Sequence, residues 1–74
     1  MNLFQAKPGK RVEVLMTSLT DIGPMPSWLP AEVIRRNFYR EEVEVEFTQS
    51  FGHIIILQCE EGFELPRLRL AGGG

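Results

Sequence analysis

The segment Glu42-Val43-Glu44-Val45-Glu46-Phe47 alternates acidic and apolar residues without a break. A period of two is the signature of a strand with one face on a core and one in water, because successive side chains leave a pleated backbone on opposite sides. Val43, Val45 and Phe47 are therefore predicted inward and the three glutamates outward. A chain of 74 residues can bury only about 60% of its unfolded surface, so this strand must serve the domain's single core. With 43% hydrophobic residues the chain has enough apolar material to build one.

The neighbouring segments are read in the same way. Leu3 to Ala6 followed by the turn Lys7-Pro8-Gly9-Lys10 and the alternating Arg11 to Met16 predict an amino-terminal hairpin. Thr17 to Ser27 is small, polar and interrupted by Gly23-Pro24 and Pro26, which predicts a loop. The continuous run Ile54-Ile55-Ile56-Leu57 within His53 to Gln58 suits a strand covered on both faces or lying at a contact surface. After turns at Ser50-Phe51-Gly52 and Glu60-Glu61-Gly62, Phe63 to Leu70 is a final strand in which Pro66 must sit where its missing amide donor is not needed.

One segment decides the fold. As a helix, Ser27 to Tyr39 has Ser27 as its cap and Pro30 in its first turn; Ala31, Ile34 and Phe38 lie on one face, and Glu32 and Arg36 form an i,i+4 pair. As a strand, Trp28 to Arg36 explains Leu29 and Val33, which fall off that helical stripe. The helix is the preferred reading. It predicts an α+β domain over residues 1–70, a mixed sheet of about five strands on one helix, with 71–74 a flexible glycine tail.

Several function classes are excluded by composition. A net charge of −2 opposes broad nucleic-acid binding, which requires many cations to neutralise phosphates. The basic residues Lys7, Lys10 and Arg11, and Arg35, Arg36 and Arg40, are set apart from Glu41, Glu42, Glu44 and Glu46, as in solvated faces. No apolar run approaches the roughly 20 residues of a membrane span, and Met1-Asn2-Leu3-Phe4 is no secretion signal, so a cytoplasmic monomer is expected. Cys59 has no partner for a disulfide, and with His53 it supplies too few ligands for a metal. On one strand His53 and Cys59 stand about 20 Å apart, so no catalytic dyad, enzyme activity or cofactor is predicted.

The chain closes on Leu68-Arg69-Leu70-Ala71-Gly72-Gly73-Gly74. Three glycines add no burial and are the most expensive residues to order, which favours a role in threading a narrow enzyme channel over a structural one. With the opening Met1-Asn2-Leu3-Phe4 and Gly9-Lys10, this closing motif resembles ubiquitin and its relatives. The resemblance implies a β-grasp fold and a protein modifier. Gly72, Gly73 and Gly74 would then form the conjugation tail, with Leu68, Arg69, Leu70 and Ala71 read by an activating enzyme and Lys7 and Lys10 available for chain linkage. An activating enzyme, a conjugating enzyme and a processing peptidase would be its partners. A sulfur carrier of the same fold is a chemical variant of that reading.

A second resemblance points elsewhere. Trp28-Leu29-Pro30-Ala31-Glu32-Val33-Ile34, Val43-Glu44-Val45-Glu46-Phe47 and Phe51-Gly52 are similar to Tudor and Agenet domains, all-β SH3-like barrels that read methylated lysine or arginine. That likeness implies a reader of methylated or otherwise cationic peptides. Phe47 and Phe51 match two positions of its aromatic cage, each face worth about 0.5 to 2 kcal/mol toward a cation. Leu29 stands where a further aromatic is usual.

Overall fold

The computed structural model describes residues 1–50 and 52–71. It is all-β, and the predicted helix is absent. Five strands, β1 Arg11–Thr20, β2 Gly23–Asn37, β3 Glu42–Phe47, β4 Ile54–Gln58 and β5 Leu68–Leu70, form one antiparallel sheet in the order β4-β3-β2-β1-β5. The other regular element among the described residues is a single 3-10 turn, Glu61–Phe63. A meander of four strands is thus followed by a fifth that returns to the free edge of the first. The α+β, β-grasp expectation is overturned by the continuous 15-residue strand β2, which takes up the whole predicted helix except its last two residues.

Three local facts explain why this segment extends. Ala31 and Val33 are both buried at a spacing of two, with Leu29 packed against the core, so the inward residues follow strand parity. The carbonyl of Pro30 accepts from the amide of Thr48 on the β3 side, so even-numbered β2 residues in this stretch point their backbone groups away from β1. Pro24, Pro26 and Pro30 therefore place their missing amides where no ladder partner toward β1 is lost. A bulge between Val33 and Arg35 then lets Arg35 face Glu44, at 3.3 Å, while Arg36 donates to the carbonyls of Leu3 and Phe4. The expected Glu32 to Arg36 pair does not form.

Other boundaries move as well. The predicted loop at Thr17 to Ser27 is strand almost throughout, pairing Thr17 with Pro26 and Leu19 with Pro24 in a hairpin turned at Asp21-Ile22. Leu3 to Ala6 is a turn rather than a hairpin strand, stitched by reciprocal Asn2 and Gln5 side-chain bonds. The final strand is shorter than predicted, since Phe63 ends the 3-10 turn and β5 begins only at Leu68.

The core lies on one face of the sheet. Val12 and Val14 of β1, Ala31 and Val33 of β2, Val43, Val45 and Phe47 of β3, Leu57 of β4 and Leu68 of β5 are all buried, closed by Leu3, Ala6 and Leu65 from the connections. The alternation read in Glu42 to Phe47 is thus the actual inward set. Among the described residues no buried side chain is polar or charged, so the interior owes its stability to apolar burial alone.

Candidate binding cleft

At one end of the sheet, backbone bonds join the described residues between β3 and β4 to each other and to β2. The amide of Phe47 donates to the carbonyl of His53 at 3.0 Å, that of His53 to Ser50 at 2.9 Å, and that of Thr48 to Pro30 at 3.1 Å. Glu46 accepts from the amide of Gly52 at 2.8 Å, and Gly52 has φ +84°, a conformation that suits glycine. These bonds hold the turn against the sheet and leave a cleft of about 140 Å³ between Met16 of β1, Leu29 and Pro30 of β2, Phe47 of β3, and Ser50 and His53 of the turn.

The lining is apolar apart from its turn side. Phe47 is buried and meets the His53 ring edge-on, centroids 5.4 Å apart at 83°. Among the described residues no carboxylate lines the cleft. It is therefore suited to a small group with an apolar outer surface. Of the two predicted cage aromatics, Phe47 stands in the cleft and Phe51 lies outside the described residues; Leu29 lines the wall where the resemblance would place an aromatic. Met16, Pro30 and His53 were not read from the sequence as site residues, because the cleft depends on a register that no local pattern reveals.

The residues assigned to tail chemistry are placed differently. Leu68 is buried in the core, and Arg69 is held at the sheet surface by Glu13 at 2.7 Å and by the ring of Trp28. Leu70 and Ala71 are exposed, with the Ala71 amide bonded to the carbonyl of Arg11 at 3.2 Å. The conjugation tail Gly72, Gly73 and Gly74 lies outside the described residues. Lys7 and Lys10 are exposed on the turn before β1, Lys10 donating its amide to the carbonyl of Lys7.

Elsewhere the chemistry is sparse. His53 and Cys59 flank opposite ends of β4, and among the described residues no group of three metal-ligating side chains converges. Cys59 is half-buried; burial, and secondarily the charge of Glu41, pushes its thiol above the ordinary range. No helix among the described residues is long and apolar enough to cross a membrane.

Fold and cleft together define an all-β domain with one five-stranded antiparallel sheet and an apolar recess at a strand end. Comparison with protein-family models, curated proteins and solved structures gave no match.

Proposed function

We propose that the domain is a non-catalytic binding module that accepts a methylated, cationic side chain of a peptide in the cleft beside Phe47. The observation that carries this reading is the coincidence of an apolar recess with the strand end where the Tudor-like resemblance puts its cage, in an all-β chain whose fifth strand returns to the first. A methylated ammonium carries its charge under an apolar surface. It suits an apolar recess lined by Phe47 and His53, with no carboxylate among its described walls, better than a bare, strongly hydrated lysine does. The glutamates of β3 lie on the opposite face of the strand from Phe47 and stay out of the recess.

Conjugation through Gly72 to Gly74 keeps only the terminal motif and the opening residues Met1 to Phe4 and Gly9-Lys10 as support once the helix is gone. The decisive experiment titrates the labelled protein with peptides carrying trimethyllysine, lysine or norleucine at one position. Shifts at Met16, Leu29 and His53 that saturate for trimethyllysine alone support the reader. Leu29→Trp should tighten that binding by about 0.5 to 2 kcal/mol by adding the absent aromatic face. Equal affinity for norleucine and trimethyllysine, or no shift at these residues, rejects it.

A further inference from the structure

Phe47 and His53 meet at a corner of the cleft, but they offer an entering side chain unequal surfaces. Continuing the β3–β4 register one step beyond Glu46 and Ile54 sets the two residues opposite each other, and the Phe47 amide donates to the His53 carbonyl at 3.0 Å. Both side chains therefore leave the inner face of the sheet, with their rings near a right angle. Phe47 keeps only 6% of its surface, whereas His53 is exposed. The ring that a ligand meets most is the imidazole.

That imidazole is held from the backbone. The His53 amide donates to the carbonyl of Ser50 and its carbonyl accepts from Phe47, so both main-chain groups are engaged without help from the ring. A substitution at this position leaves the two bonds in place.

No neighbour in the cleft offsets a charge on the ring. β1 contributes Met16, β2 contributes Leu29 and Pro30, β3 contributes Phe47, and the turn contributes Gln49 and Ser50. Among these described walls His53 is the only ionisable residue. Glu46, the residue before Phe47, points to the opposite face, where its carboxylate accepts from the amide of Gly52.

We infer that His53 sets the charge specificity of the cleft: its neutral ring is the aromatic wall against which the methylated cation rests, and its protonated ring excludes that cation. This inference rests on the reading of the cleft as a site for a methylated cationic side chain. A quaternary ammonium has no proton to lose, so it keeps its charge when the imidazole gains one. Histidine is the side chain whose charge ordinarily changes between about pH 5 and 8, which makes the site open at neutral pH and closed under mild acid. Two unit charges about 4 Å apart repel enough, even in the dielectric of bulk water, to weaken binding about fivefold, and by more where water is excluded. An uncharged ligand of the same shape escapes this penalty.

The test measures the affinity of the full chain for a trimethyllysine peptide with no other ionisable side chain, and for its uncharged tert-butyl isostere, at about pH 7.5 and about pH 5.5. Backbone spectra at both pH values confirm that each protein is folded. Wild-type protein should lose about fivefold or more in affinity for the charged peptide at the lower pH and nothing for the isostere. His53→Phe, which keeps an aromatic wall without a titrating group, should bind the charged peptide equally at both pH values. His53→Gln should also be independent of pH but bind more weakly, since it removes the ring. Unchanged wild-type affinity at the two pH values, an equal loss for the isostere, or a pH dependence that persists in either variant overturns the role of His53 and leaves the cleft reading standing. Absence of trimethyllysine binding at the higher pH rejects both.

Discussion

The guanidinium of Arg69 lies 4.0 Å from the centroid of the Trp28 ring, across β1 from it, while its Nε donates to Glu13 at 2.7 Å. Three strands are tied on their outer face by this contact, since Arg69 is opposite Glu13 in the β1–β5 register and Trp28 is opposite Leu15. A partly exposed ion pair contributes under about 1 kcal/mol and an exposed cation–π contact about 0.5 to 1. Arg69→Ala should therefore lower stability by about 1 kcal/mol and change Trp28 fluorescence. Arg69→Lys, which keeps the charge but loses the planar stack, should recover part of the stability. Denaturant titration of the three proteins followed by that fluorescence checks both.

The two faces of β3 should respond oppositely to truncation. Phe47→Ala removes a buried ring and should cost about 3 to 5 kcal/mol, a large share of the stability of so small a domain. Glu44→Ala removes an ion pair whose Arg35 partner is mostly exposed, and should cost under about 1 kcal/mol. Equal denaturation midpoints for the two variants would contradict the inward set.

Glu41 occupies the left-handed region at φ +54° in the β2–β3 turn, where a side chain is strained by about 1 to 2 kcal/mol. Glu41→Gly should relieve that strain and, after the greater unfolded-state entropy of glycine, leave a net gain of about 0.5 to 1 kcal/mol. A thermal midpoint that falls instead would show that the turn depends on the Glu41 side chain.

Cys59 gives the domain an alkaline sensitivity. Burial, then the Glu41 charge, raises its thiol in the folded state, so the folded protein favours the neutral form. The associated stability is fully present below the thiol's unfolded value and is lost as pH rises through the raised folded one. Cys59→Ser should flatten this part of the stability profile between neutral and alkaline pH. At neutral pH, alkylation of native Cys59 should be slower than that of the unfolded chain.

Wherever burial alternates with period two, strand and inward face are legible from residues alone. Val43, Val45 and Phe47 on β3, and Val12 and Val14 on β1, are buried as their spacing implies, because pleating ties side-chain direction to parity. Phe47 could be named as a candidate site residue from the Tudor-like resemblance, not from this alternation. The cleft around it could not, since Met16, Pro30 and His53 come from three separate segments whose proximity exists only after pairing.

The sequence by itself determined the apolar interior, the polarity of the β3 faces and the turn after Lys7. Only the tertiary structure decided between helix and strand for Trp28 to Arg36. Locally the choice is close, with a cap, a first-turn proline and a partial stripe on one side and Leu29, Ala31 and Val33 on the other. The ladders that β2 forms with β1 and β3, and the burial of Ala31 and Val33 between them, come from residues distant in the chain. Non-local pairing of this kind outweighs a local preference of a few tenths of a kcal/mol per residue.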